Sequence, residues 1–362
     1  MSTLLFSRTL LPLYFLSLSL GAASQGITTP RTPSPAAAVS QTIGISTVTV
    51  NYSRPSVKKR EIWGAIVPYG WNKQGFGPGN EAPWRAGANE NTTISFSHDA
   101  TVEGKPVSAG VYGLFFVINE NSTGEVILSK DSRAWGSFFY DANQDALRAN
   151  IKVQPASFTE TLTYDFANIT KTSADLLLSW EKKQFPVKIE FDVDKIVMAN
   201  AAEELKGPVG FNWQGFSSAA NYAVQNKTNL DQAVKWIDNA IAQNKSFTTL
   251  SVKSKIDKEL GRMEDAEKLM NEAVVLATEN ELNLYGYQLL NEGLNDKAIE
   301  IFTLNTKRFP KSANAWDSLG EGYFIKGDKK NAIMNFKKSL AMNPPGNVKA
   351  NSEKFLKQMG AL

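Results

Sequence analysis

The sequence contains no cysteine and one histidine, His98. Disulfides, thiolate nucleophiles and thiolate metal sites are therefore excluded, as is lipid attachment through an N-terminal cysteine. A zinc site would have to be built almost entirely from carboxylates, which zinc rarely accepts. A Ser-His-Asp mechanism could use only His98. Charge of one sign is also missing: 39 basic residues against 36 acidic ones leave a net +3. The longest basic run is Lys58-Lys59-Arg60, so no basic stripe points to a nucleic-acid partner. No cofactor and no metal ion is expected. Beyond the N-terminus, no stretch is apolar for long enough to span a membrane.

The 362 residues have room for two or three domains. Arg8 supplies a short basic region, and residues 9–20 (TLLPLYFLSLSL) are apolar apart from small hydroxyls. Gly21-Ala22-Ala23-Ser24 then offers the small residues that signal peptidase requires. Residues 1–24 thus read as a cleaved signal peptide, with Gln25 the first mature residue. The competing reading is an uncleaved anchor. It is disfavoured because the run is short of the ~20 residues a spanning helix needs and is broken by Pro12. Export to the periplasm or the extracellular space follows. Residues 25–40, with Pro30, Pro33 and Pro35, read as a tether rich in proline, serine and threonine.

From 41 to 193 the hydrophobic period is two. Ile43, Ile45, Thr47, Thr49 and Asn51 alternate with their neighbours, and similar stretches occupy 92–97, 110–118, 125–129, 147–153, 160–166, 174–180 and 187–193. Turn signals at 102–106 and 119–124 mark hairpins. Eight or nine short strands without intervening helices predict an antiparallel β-sandwich of jelly-roll type. Residues 53–91, dense in glycine, proline and tryptophan, read as an ordered loop lying against the sheets.

After Asp194 the period becomes helical. Residues 194–211 read as a connecting helix or linker. Trp316, Leu319-Gly320, Tyr323, Ala332, Phe336 and Pro344 then match the tetratricopeptide pattern at each signature position. A small alanine recurs at Ala233, Ala266, Ala298 and Ala332, at separations of 33, 32 and 34 residues. A bulky residue follows four later, at Ile237, Met270, Phe302 and Phe336, and a turn glycine recurs at Gly261, Gly293 and Gly327. The small residue lets two helices approach, and the large one fills the gap to the next pair. Residues 212–345 are thus predicted to form four repeats, an α-helical tetratricopeptide-type solenoid, with an amphipathic capping helix at 346–362.

The β-domain resembles the domain of unknown function 2911, found mostly in exported proteins of Bacteroidetes-type bacteria. The motifs that carry the resemblance occur in order. They are Ser34-Pro35, Tyr52-x-Arg54-Pro55, Arg60-x-Ile62-Trp63-Gly64, Val67-Pro68-Tyr69-Gly70, Trp84-Arg85-Ala86-Gly87-Ala88-Asn89 and Ala109-Gly110-x-Tyr112. Together they cover about 34–193, and a helical tail is a common companion of that domain. The stretch 71–83 departs from the pattern by its length. The resemblance implies the fold and export, and it supplies no catalytic residues.

Arg54, Arg60, Trp63, Tyr69, Trp84, Arg85, Asn89 and Glu90 form the most chemically interesting set. Arginines beside indole rings suit sugars or carboxylates, but the same residues also pin long loops to sandwiches. His98 beside Asp99 reads as a solvated turn, because no nucleophile accompanies it. Asp141-x-Asn143-x-Asp145 opens like a calcium loop, yet Ala146 and Lys152 stand where glycine and glutamate are needed, so it reads as a turn. In the repeats, resemblance to tetratricopeptide proteins implies that Asn280, Asn283, Tyr287, Asn314, Asp317 and Glu321 line the inner face of the first helices, the customary peptide groove of such proteins. Asn283/Asp317 and Tyr287/Glu321 are each 34 residues apart, and are expected to stack on one wall that clamps a protein or peptide partner, by its backbone or through basic groups. The poverty of catalytic residue types favours a non-enzymatic interaction scaffold. The alternative is a glycan-acting or glycan-binding sandwich that uses the 54–90 loop.

Overall fold

The computed structural model describes residues 33–73, 75, 77 and 79–362. The leader expected at 1–24 lies outside the described residues, as does most of the tether. The chain divides into two compact units, one of residues up to 42 with 47–190, the other of 43–46 with 191–362.

The first unit is built from two antiparallel sheets. Strands β1 (Ala36–Ile43), β2 (Ser46–Ser53), β5 (Thr93–Phe96), β8 (Gly110–Ile118), β9 (Thr123–Ser129) and β10 (Asp145–Lys152) form one, in the order β1-β2-β5-β8-β9-β10. Strands β11 (Gln154–Ala167), β12 (Ser173–Glu190), β6 (Ala100–Val102) and β7 (Lys105–Val107) form the other, in the order β11-β12-β6-β7. The rings of Phe116 on β8 and Phe185 on β12 meet at 5.8 Å, and those of Tyr52 and Tyr164 at 4.7 Å. These contacts join the two inner faces, as in a sandwich. Glu103 and Gly104 both have positive φ, 50° and 73°, as a two-residue type I′ turn between β6 and β7 requires.

Strand β12 corrects one expectation. The sequence reads as two strands, 174–180 and 187–193, separated by a polar run. The structure has one strand of 18 residues. Up to Trp180 the even-numbered residues Leu176, Leu178 and Trp180 are buried; beyond it the odd-numbered Phe185, Val187 and Ile189 are. Glu181 sits at the phase change with φ 54°, and the pairing with β11 shifts register there. An extra residue turns the following side chains to the opposite face, so the period-two pattern breaks although the strand does not. A second correction concerns the tether. Strand β1 begins at Ala36, inside the segment expected to be linker, because its small residues pair along β2 at the sheet edge. A third is the helix start at Val193, where strand was expected to continue; Asp192 caps that helix through the backbone N–H of Lys195.

The 53–91 loop lies on the sheets, as expected. It carries a short ladder of β3 (Asn72–Lys73) and β4 (Glu81–Ala82). Trp84 exchanges backbone hydrogen bonds with Phe116 at 2.8 and 2.9 Å. Ala82 and Trp71 cover Phe115, Val117 and Ile127 on the outer face. Strand β8 is therefore buried on both faces, which explains its unbroken apolar run.

In the second unit, α1 (Val193–Glu204) and a short 3-10 turn (Pro208–Phe211) lead into α2 (Trp213–Gln225), α3 (Leu230–Gln243), α4 (Phe247–Glu259), α5 (Met263–Leu276), α6 (Glu279–Asn291), α7 (Asn295–Arg308), α8 (Ala313–Lys326), α9 (Lys329–Leu340) and α10 (Gly346–Gln358). Helices α2 to α9 pack as four successive hairpins, and α10 packs on the last. The recurring alanines 233, 266, 298 and 332 are all fully buried, as are Ile237, Phe302 and Phe336. Truncating either phenylalanine to alanine would cost about 3–5 kcal/mol. Capping boxes at Ser246 and Thr278 start α4 and α6, and the turn glycine at 293 follows α6 with φ 75°.

Candidate functional site

The β-domain loop splits the residues singled out in the sequence into two groups. One group is consumed by the scaffold. Arg54 donates from Nε to the Leu162 carbonyl at 3.0 Å and from Nη2 to Thr163 Oγ1 at 2.7 Å, fastening the loop to β11. The Trp63 Nε1–H donates to Glu181 Oε2 at 3.2 Å. Its indole meets Trp84 and Trp180 edge-on at 5.9 and 6.0 Å and Phe185 at 5.4 Å. The Tyr69 ring lies 3.0 Å from where a Cβ on Gly64 would stand, and Lys183 Nζ is 5.7 Å from its centroid. Glu90 is exposed.

The other group converges on a groove of about 700 Å³. Arg60, Trp84, Arg85 and Asn89 line it, joined by Lys58 and Trp180. Trp84 stacks on Trp180 at 6.0 Å with the planes 13° apart. Arg85 Nη1 donates to the Asn89 carbonyl at 2.5 Å, and the guanidinium carbon lies 4.9 Å from the Phe138 ring centroid. Burial lowers the Arg85 guanidinium from its ordinary value. Asn89, at φ 61°, donates from Nδ2 to the Ser34 carbonyl at 3.2 Å. Arg60 donates to the carbonyls of Val57 at 3.1 Å and Ser56 at 2.6 Å. No aspartate or glutamate is among the described residues that line the groove. A pair of carboxylates for glycoside hydrolysis therefore has no residues here.

Lys58 and Trp180 have signals in the sequence that point elsewhere. Lys58 belongs to the longest basic run, which there bears only on nucleic acid. Trp180 follows strand alternation and reads as core, which it is, at 1% exposure. Neither signal places it beside Arg85.

His98 and Asp99 do not form a pair. His98 Nδ1 lies 3.0 Å from Ser97 Oγ, and Asp99 Oδ1 accepts from the backbone N–H of Ala109 at 2.8 Å. Asp141 caps a 3-10 turn by accepting from Asn143 N at 2.9 Å, while Asp145 accepts from Tyr140 at 2.7 Å and from Arg148 at 2.5 Å. These bonds make the segment a turn.

In the helical unit the expected inner wall is partly internal. Tyr287 and Glu321 do meet, the phenol donating to Oε2 at 3.1 Å. Tyr287 is also 3.2 Å from Ser318 Oγ. Burial, with the charge of Glu321, pushes the Tyr287 phenol up. Asp317 differs from expectation: it is 3% exposed and turned to α10. It accepts from Asn351 Nδ2 at 2.8 Å and from Ser352 Oγ. Burial pushes its carboxyl up, against the pull of those two bonds. Asn351 also donates to Glu321 at 3.3 Å. The capping helix thus covers this wall of α8. Asn283 is half-buried with its Oδ1 unpartnered, Asn314 is half-buried, and Asn280 is exposed.

A depression between α4, α5, α6 and α7 was not legible in the repeat pattern. It holds about 190 Å³ and is lined by Phe247, Met270, Leu284, Tyr285 and Leu294, with Lys255, Lys258 and Lys297 around it and Glu292 as the one acid. Leu284 is 61% and Leu294 42% exposed. A helix position exposed to this degree more often carries a polar residue, which is the signal the sequence offered.

Residues 34–189 match the family model described as "Protein of unknown function (DUF2911)". No curated protein matches the chain. Among solved structures, YrrB, described as a TPR protein with an unusual peptide-binding site, is similar at 19% identity and TM-score 0.28, over 44% of this chain and 84% of its own. MamA is similar at 18% identity and TM-score 0.29, over 42% of this chain and 89% of its own. A tetratricopeptide repeat protein from Parabacteroides merdae is similar at 16% identity and TM-score 0.30, over 47% and 66%.

Proposed function

With a DUF2911 domain at 34–189 and tetratricopeptide-type repeats behind it, we propose that the chain is an exported, non-enzymatic adaptor whose repeats dock an acidic, amphipathic segment of a protein partner. The observation that carries this reading is the depression between α4 and α7. Exposed leucines and an aromatic floor supply apolar area for an anchor residue. Three lysines against one glutamate at its edge favour a partner of negative charge and raise its rate of encounter. The wall formed by Asp317 and Glu321 supports it less well, because α10 already occupies those carboxylates. Export rests on the leader pattern of residues 8–24.

The test is a crosslinked pull-down from the native envelope with three forms of the full chain. These are the wild type, Leu284→Asp, and the triple charge reversal Lys255→Glu, Lys258→Glu and Lys297→Glu. A specific protein recovered by the wild type, lost with both variants and released by salt, is the expected result. Recovery of the same proteins by all three, or of none by the wild type, refutes the docking. The N-terminus of the native protein, read by mass spectrometry in the same preparation, should begin at Gln25; an intact leader would overturn export with cleavage.

A further inference from the structure

The groove beside Arg85 has features that a merely structural loop does not need. The guanidinium is wedged so closely against Gly136 that a Cβ there would lie 2.2 Å from its Cζ. Of its five N–H donors, only Nη1 has an acceptor, the Asn89 carbonyl, and no ion pair involves Arg85 among the described residues. Arg85 is half-buried and its remaining N–H donors are not among the buried unpartnered atoms, so they stay accessible to an incoming acceptor. Lys58 and Arg60 add two more cations to the same walls, and no carboxylate is among the described residues that line them, although Glu160 Oε1 accepts from the backbone N–H of Lys58 at 2.9 Å just outside. A concave site of uniform sign focuses its field on an incoming anion.

Two independent observations point the same way. Trp180, at the floor, is 1% exposed, and its Nε1–H is buried with no acceptor among the described residues. Native structures seldom leave such a donor unpaired. In addition, non-glycine residues in the left-handed region sit on both sides of the groove: Lys58 and Lys59 at φ 48° and 59°, Ala86 and Asn89 at 51° and 61°. Such conformations cluster where a backbone is held for a ligand. The volume of about 700 Å³ falls within the range of small-molecule sites.

We infer that this groove binds an oxyanion, a carboxylate or phosphate carried by a small ligand of acidic-sugar type, with Arg85 as its anchor and Lys58 and Arg60 as flanking charges. A guanidinium fork matches either anion with two parallel hydrogen bonds. The half-buried indole of Trp84 offers apolar surface for a sugar ring. This site is independent of the docking proposed for the repeats, and either can fail without the other.

Tryptophan fluorescence and calorimetry of the full chain, titrated in turn with trigalacturonate, its uncharged counterpart galactotriose and inorganic phosphate, test the inference. Saturable binding of trigalacturonate or phosphate, but not of galactotriose, is expected. Arg85→Gln should weaken it about tenfold or more, as loss of a charged fork does. The two anions distinguish a carboxylated sugar from a phosphate ligand. Should Arg85→Gln fail to fold, the exposed Arg60→Gln and Lys58→Gln carry the same test. Absence of binding by both anions up to millimolar concentrations, equal binding of the neutral sugar, or binding unchanged in all three variants overturns the site.

Discussion

Gly286→Ala should destabilise the helical unit, although alanine is the better helix former. A Cβ at 286 on α6 would stand 2.3 Å from Cε1, 2.6 Å from Cζ and 2.7 Å from Cδ1 of Phe302. Carbon atoms in contact sit ~3.5–4.0 Å apart, so the ring would have to retreat by about 1 Å. Its way is blocked: Phe302 is fully buried, and a Cβ at Gly322 would itself lie 3.1 Å from its Cδ2. Overpacking of this kind costs ~1–3 kcal/mol, and replacing a mid-helix glycine by alanine returns about 1 kcal/mol. The net loss is therefore about 0–2 kcal/mol, towards the upper end because a 2.3 Å approach lies so far inside contact distance. The equivalent glycine of the next repeat, Gly320, is looser, with Phe336 atoms at 2.9 to 3.0 Å. There, strain and propensity nearly cancel, and Gly320→Ala should lie within about 0.5 kcal/mol of wild type. Gly346 has nothing within 4 Å and serves as a control. Urea denaturation of the full chain, followed by the helical circular dichroism signal, ranks the three variants. Unchanged or higher stability of Gly286→Ala, or a greater loss at Gly320, refutes the packing argument.

Two further outcomes concern pH. Burial raises the Asp317 carboxyl from its ordinary value. Its contribution to stability is then fully present below the unfolded-state value and lost as pH rises through the folded-state value. The stability of Asp317→Asn relative to wild type should climb across that acid window; a difference that does not vary with pH would sink the assignment. Burial, aided by the bond to Asp194 at 2.7 Å and by that carboxylate's charge, pushes the Tyr222 phenol up to about 12. Here the stabilisation is complete below the ordinary tyrosine range and fades as pH rises through about 12. Tyr222→Phe should accordingly be less stable than wild type at neutral pH and converge with it under alkaline conditions; parallel urea midpoints at both pH values would contradict this.

The candidate sites were legible in unequal measure. Arg60, Trp84, Arg85 and Asn89 stand out as residue types, and the structure gathers all four on one groove. Arg54 and Trp63 look the same in sequence, yet they are spent on Leu162, Thr163 and Glu181, residues more than a hundred positions away. All three arginines cap carbonyls, Arg54 on a distant strand and Arg60 and Arg85 within their own loop, and no local pattern separates the first case from the second. In the repeats, the 34-residue spacing put Tyr287 beside Glu321 correctly. It could not reveal that α10 would take up Asp317, because the repeat pattern does not specify what the terminal helix covers.

By itself the sequence determined the change from a β-domain to helical hairpins, the number of those hairpins and the residues at their crossings. These depend on periods of two, 3.6 and about 34 residues, which are local in the chain and enforced by one buried face. Tertiary structure alone decided three things: that β12 runs unbroken through a register shift at Glu181, that Trp180 and Lys58 share a groove with Arg85, and that Asp317 faces inward. Each depends on contacts between distant segments, where packing and the pairing of buried polar groups choose among side chains that composition and spacing leave equivalent.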